Sequence, residues 1–194
     1  MATYRWLWVG LGNPGPAYVF TRHNFGFLVL DHWATTRGLS FQKGAWSAEV
    51  AFLPKEGLVL LKPQTYMNLS GQAVAPWAKE LSLPPERVLV IHDDLDLPLG
   101  RLKFAPNGGP GGHKGVWSIM EALGTRNFPR LKLGIGRPPE GTKVPDFVLS
   151  PFTEEEWPVV KKVIVRACEG LEVLLREGLQ KAMSLFNRPF LAES

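Results

Sequence analysis

The chain has 194 residues, 45% of them hydrophobic and 21% charged, with 22 Lys and Arg against 18 Asp and Glu for a formal charge of +4. That length suits one substantial core. No apolar run reaches the roughly 18 residues that span a bilayer, and the N-terminal segment is a poor secretory signal. The lone Cys168 excludes an internal disulfide framework and fits a reducing, cytoplasmic setting.

Arg5 to Val9 is aromatic and β-branched, predicting a first strand that runs into the glycine-rich stretch GLGNPG. From Asn24 to Arg37, Phe27, Leu28, Leu30 and Ala34 recur at helical spacing, and Gly38 supplies a stop. Ala48–Leu53 and Leu58–Leu61 read as a hairpin pair with KEG as the turn. A helix is predicted from Ser70 to Leu81, with Ser70 placed to cap it before Val74, Trp77 and Ala78.

VLVIHDD (88–94) is a nearly continuous apolar run ending in charge, as expected of a buried central strand. Leu102–Phe104 reads as a further strand, and NGGPGGHKG (107–115) as a loop. Helical periodicity follows from Val116 to Leu123. Leu131–Ile135 is the last predicted strand before the turn RPPEGTK. A long amphipathic helix is expected from Glu154 to Glu177, then a shorter one to about Phe186. This mixture, without repeat or linker, predicts an α/β fold with a mixed sheet in one domain.

The spacing of Gly10, Gly12 and Gly15 matches the dinucleotide fingerprint G-x-G-x-x-G. Pro14 and Pro16, however, remove two amide donors where a pyrophosphate cradle needs them. The acid expected about 20 residues on, at the end of a second strand, is also missing, because Asp31 falls inside the helical pattern. A dinucleotide site is therefore not expected.

His23 lies in TRHNFG, on a loop leaving the first strand. Loops at the strand ends of an α/β sheet converge on one crevice. Three others carry unusual polar residues there: QTYMNLSG (64–71) with Asn68, HDDLDLPLG (92–100), and NGGPGGHKG. A neutral histidine can take a proton from water when a carboxylate fixes its tautomer, and Asp93 is the candidate carboxylate. Strand alternation places His92, Asp94 and Asp96 opposite Asp93. His92 is then expected to be structural, and Asp94 and Asp96 to be turn residues before Pro98. No G-x-S-x-G elbow and no zinc-ligand spacing is present. Two alternatives stay open at this level: magnesium held by Asp93, Asp94 and Asp96 for phosphodiester cleavage, and a non-enzymatic RNA-binding protein.

Five segments in order, VGLGNPGPAY with TRHNFGF (9–27), LLKPQTYMNLSGQAV (60–74), VIHDDLDLPLGRLKF (90–104), GGPGGHKG (108–115) and RLKLGIGRP (130–138), resemble the bacterial-type peptidyl-tRNA hydrolases. The resemblance implies a single α/β domain over residues 1–194, with a twisted mixed sheet surrounded by helices and the C-terminal helices from about 154. It implies hydrolysis of the ester between a peptide and the 3′ ribose of tRNA. No metal or other cofactor and no obligate protein partner are implied, so a monomer acting on peptidyl-tRNA is expected.

Carried over residue by residue, His23 becomes the general base and Asp93 the group that polarises it. Asn13 and Asn68 hold the peptide end, with Asn68 also steadying the oxyanion. Tyr18 and Met67 line the cleft, and His113 stands at its rim. Lys114 departs from the asparagine common in the family; it donates but cannot accept, and it is expected to bind substrate, either at the peptide end or at the tRNA terminus. Phosphate contacts are expected from Lys103, Lys114, Arg137 and Lys143, out of a basic set spread between Arg101 and Lys143.

Overall fold

The computed structural model describes residues 3–191; the two ends of the expected 1–194 domain lie outside the described residues. Strand β1 (Trp6–Gly10) is buried along its whole length. It is flanked on both sides by parallel neighbours, β4 (Leu58–Pro63) and β5 (Val88–Asp94). Beyond β4 lie the antiparallel β3 (Ala48–Leu53) and β2 (Gln42–Gly44). Beyond β5 come the parallel β7 (Arg130–Gly134) and the antiparallel edge strand β6 (Leu102–Ala105). The sheet is mixed, in the order β2-β3-β4-β1-β5-β7-β6.

Period-2 alternation divides the buried residues between two cores. Trp8, Leu89, Ile91, Leu131 and Leu133 pack with α1 (Phe25–Thr35), α5 (Trp157–Glu177) and α6 (Leu179–Phe186). Leu7, Val9, Val88 and Val90 pack with α2 (Gly71–Glu80) and α3 (Lys114–Leu123). Each face of the central strands is covered, so they read as continuous apolar runs.

Several boundaries differ from expectation for local reasons. Ser70 does not cap α2: its backbone is already helical, continuing a 3₁₀ turn at Met67–Leu69, and its hydroxyl donates to the Met67 carbonyl at 2.7 Å. The long helix starts at Trp157 rather than Glu154. Glu156 folds back to accept from the Thr153 N–H and pairs with Arg22 instead. Strand β2 and a five-residue helix, α4 (Val144–Val148), were not expected.

One contact fixes where the site can form. A Cβ at Gly26 would lie 2.3 Å from the Ile91 carbonyl oxygen and 2.6 Å from the Leu11 nitrogen. Glycine therefore lets the first turn of α1 sit directly on the ends of β1 and β5. The residues just before it, His23 and Asn24, are thereby set above the carboxyl ends of the parallel strands.

Candidate active site

A cleft of about 770 Å³ opens at those strand ends. Its lining brings together Asn13, Tyr18, His23, Met67, Asn68, Asp93, His113 and Lys114, eight residues picked from the sequence. Lys103, Arg137 and Lys143 lie outside the lining.

Asp93, the penultimate residue of β5, has its side chain on the α1 side of the sheet and is only 2% exposed. Its Oδ2 lies 2.8 Å from His23 Nδ1, and its Oδ1 lies 2.9 Å from His113 Nε2. His113 Nδ1 accepts from the backbone N–H groups of Gly115 and Val116, at 3.1 and 3.3 Å, so this ring is the N-cap of α3. A nitrogen that accepts carries no proton, so the proton of neutral His113 is on Nε2 and is donated to Asp93. The His23 and His113 ring centres are 4.8 Å apart. Burial alone would raise the Asp93 pKa, but the two histidines hold the carboxyl far below the usual carboxylate range. An ionised Asp93 only accepts, so His23 Nδ1 donates to it. That leaves the lone pair of His23 Nε2 free, on a side chain 12% exposed.

His92 points to the opposite face, as alternation predicts, yet it belongs to the same cluster. Its Nδ1 donates to the Asp93 backbone carbonyl at 2.7 Å, and its ring centre lies 4.9 Å from that of His113. Its Nε2 is buried and has no partner among the described residues. Burial first, and the neighbouring His113 second, lower its pKa to about 3. His92 is therefore a neutral packing and hydrogen-bonding residue, the structural role expected of it.

Asn13 is 7% exposed and interlocked. Its N–H donates to Asn24 Oδ1 at 2.8 Å, Asn24 Nδ2 donates to the Asn13 carbonyl at 3.0 Å, and the Met67 N–H donates to Asn13 Oδ1 at 2.7 Å. With Oδ1 taken, Nδ2 is the group Asn13 has left for a ligand. Asn68 follows on an exposed 3₁₀ turn. The rim residue before that turn, Tyr66, has φ 68°, a strained conformation outside glycine. Tyr66 meets Tyr18 edge-on at 6.5 Å.

The acidic residues after Asp93 do not converge on a cation. Asp94 Oδ1 accepts from the Asp96 N–H at 2.7 Å, the turn role expected, and Asp96 pairs with Arg137. Among the described residues, the group whose ligand atoms converge is His23, Asp93 and His113, within 4.8 Å. Binding a metal there would require His113 Nε2 to lose its proton while Nδ1 already accepts two N–H groups. That is a poor ligand state for imidazole. The sequence reading counted Lys132 in the basic set but gave it no place in the cleft, which it lines beside His92 while pairing across strands with Lys103. Its alternation with the buried Leu131 and Leu133 was readable, but its neighbours depend on strand register.

The sequence profile of the family described as Peptidyl-tRNA hydrolase matches residues 7–193. The chain is 51% identical over 179 residues to the peptidyl-tRNA hydrolase of Thermus thermophilus, covering 92% of this chain and 94% of the relative. It is 50% identical over 186 residues to that of Moorella thermoacetica, covering 92% and 96%. The crystal structure of peptidyl-tRNA hydrolase from Acinetobacter baumannii superposes with a TM-score of 0.89 at 34% identity, covering 97% of each chain. With the profile matching nearly end to end and half of the residues shared with such relatives, the chain belongs to the peptidyl-tRNA hydrolase family.

Proposed function

We propose that the chain hydrolyses the ester between a peptide and the 3′ ribose of tRNA, with His23 Nε2 as the base. The observation that carries this reading is the single buried carboxylate shared between His23 Nδ1 and His113 Nε2. That arrangement fixes the His23 tautomer and leaves its second nitrogen facing the cleft. Water gives a proton to Nε2 and attacks the ester carbonyl, and Asp93 balances the charge the ring acquires. Asn68 Nδ2 donates to the tetrahedral oxyanion. When that intermediate collapses, the ribose 3′ oxygen leaves and takes the proton back from His23. A positioned base contributes roughly 10²–10⁴-fold, and an oxyanion donor about 10²–10³-fold.

The free Nδ2 of Asn13 gives the selectivity a direction. It donates, so it suits the carbonyl oxygen of a blocked amino group and opposes the charged α-amine of free aminoacyl-tRNA, which also only donates. On the RNA side, Lys103 and Lys132 form one cationic pair across β6 and β7. Lys143 precedes α4. The ion pair of Arg137 with Asp96 is exposed and so exchanges readily for phosphate. Lys114 occupies the first turn of α3, where a cation opposes the helix dipole by about 0.3–1 kcal/mol. A bound phosphate offsets that cost. The enzyme acts as one catalytic domain and as a cytoplasmic monomer; among the described residues, no helix is long and apolar enough to cross a membrane.

The test is incubation with N-acetyl-aminoacyl-tRNA and free aminoacyl-tRNA, with and without EDTA. The expected outcome is release of the acetylated amino acid alone, intact tRNA, and no effect of chelator. His23→Ala abolishes release while tRNA binding survives. Undiminished turnover by that variant would refute the reading, and chelator-sensitive cutting of the RNA would favour a metal nuclease.

A further inference from the structure

Arg130 is fully buried, yet among the described residues no carboxylate pairs with it. Its Cζ lies 4.0 Å over the Phe128 ring, and each of its three nitrogens donates to backbone carbonyls. Nε donates to Phe128 at 3.0 Å, Nη1 to Gly109 at 3.0 Å, and Nη2 to Gly108 at 2.5 Å and Arg126 at 3.1 Å. Two of those four carbonyls belong to the glycine-rich wall of the cleft, whose residues Gly109 to Lys114 line it. A buried cation held only by dipoles is costly to keep, so its placement calls for a reason.

We propose that Arg130 is a positioning residue for the hydrolysis: by holding the carbonyls of Gly108 and Gly109 it turns the Gly109 N–H into the cleft as a hydrogen-bond donor to the substrate. In a trans peptide the C=O and N–H point in opposite directions. With the Gly108 oxygen drawn inward to Arg130, the N–H of the same peptide unit faces outward. Gly109 is exposed and lines the cleft, and its N–H has no partner among the described residues. The next residue, Pro110, offers no N–H, and its carbonyl accepts from the His113 N–H at 2.9 Å. The wall is thus pinned at one end by Arg130 and at the other by His113. Gly108 takes φ 151°, which favours glycine. Lysine could not replace the grip, because its three donors on one point charge do not span four carbonyls as the guanidinium fork does.

This inference rests on the cleft being the site of ester hydrolysis, and its test separates the two. kcat and KM are measured with N-acetyl-aminoacyl-tRNA for wild type, Arg130→Lys, Gly109→Pro, Gly109→Ala and the Arg130→Lys/Gly109→Pro double variant, alongside melting curves. Alanine keeps the N–H and proline removes it, and a Cβ at 109 meets nothing within 4 Å. KM is expected to rise about tenfold in Gly109→Pro relative to Gly109→Ala, with kcat within about threefold, as loss of uniform binding requires. Arg130→Lys gives the same KM signature, and the double variant is no worse than Gly109→Pro, because both remove one donor. Equal KM for the proline and alanine variants, or additive losses in the double variant, would overturn the proposal while leaving the hydrolase reading intact. Failure of the wild type to release acyl groups would overturn both. Where Arg130→Lys fails to fold, the proline and alanine pair at the exposed position 109 still decides.

Discussion

Replacing His113 by alanine removes two sets of hydrogen bonds at once, and asparagine at the same position separates them. The ring donates from Nε2 to Asp93 Oδ1 at 2.9 Å and caps α3 by accepting at Nδ1 from Gly115 and Val116. Loss of a cap costs about 0.5–2 kcal/mol, and loss of a hydrogen bond to a charged group about 1.5–3 kcal/mol. The alanine variant is therefore expected to lose about 2–5 kcal/mol, which for a chain of this size lowers Tm by roughly 4–20 °C. Asparagine is a good cap but too short to reach Asp93 as the imidazole does.

His113→Asn should thus regain the capping share of stability, about 0.5–2 kcal/mol, and none of the activity. An unpartnered Oδ1 on a carboxylate 2% exposed frees Asp93 to swing away from His23. If about 1.4–2.8 kcal/mol of that orienting energy is lost in the transition state, kcat falls about 10- to 100-fold. The assay pairs calorimetric melting with single-turnover release of N-acetyl-amino acid from tRNA. Recovery of kcat together with Tm in His113→Asn would show that the contact with Asp93 does not serve the reaction. A Tm no higher than that of His113→Ala would show that the ring is not an important cap.

Asp93→Asn should abolish most turnover, by about 10²–10⁴-fold, because one of two histidine N–H donors then faces an amide NH₂; active enzyme with an unchanged rate would refute the shared-carboxylate mechanism. Stability should fall in acid through His92: its folded pKa, about 3, lies below the unfolded 6.5, so its contribution is present above 6.5 and declines as pH drops toward 3. Chemical denaturation across that range should show the decline in wild type and a smaller one in His92→Phe. Gly26→Ala should destabilise by about 1–3 kcal/mol or more, because its Cβ collides with the ends of β1 and β5; a Tm unchanged from wild type would refute that packing argument.

What could be read in the sequence followed from periodicity and from spacing. The run VLVIHDD announced a buried strand ending at the site, and alternation correctly separated Asp93 from His92. The prolines beside Gly15 pointed to a tight turn, and the chain there bends through a 3₁₀ turn at Pro16–Tyr18. What could not be read depends on contacts remote in sequence. Histidine is not an expected cap, so α3 was predicted to begin at Val116, two residues after its actual start at Lys114. The short α4 has too few residues for a periodic signal. In the sequence Arg130 is only one of the basic residues between Arg101 and Lys143, and nothing there shows that 0% of it is exposed; only the fold places the glycine loop's carbonyls around it.

The same dependence on remote contacts explains why the cleft is ordered before substrate arrives. The side-chain amide of Asn13 would be free to flip if it faced solvent alone. Instead the Met67 N–H, 54 positions away, claims its oxygen, while Asn24 clamps its backbone through two further bonds. Met67 is itself seated against Gly115, where a Cβ would come within 2.5 Å of its sulfur, and Gly115 belongs to the helix that His113 caps. His113 then binds Asp93, and Asp93 binds His23. Four segments far apart in sequence therefore constrain one another in a closed loop of contacts. Orientation fixed in this way need not be acquired during the reaction, and such preorganisation is a large source of rate. It also means that no one of these segments specifies the site by its own residues, because each depends on the others for the direction in which its polar group points.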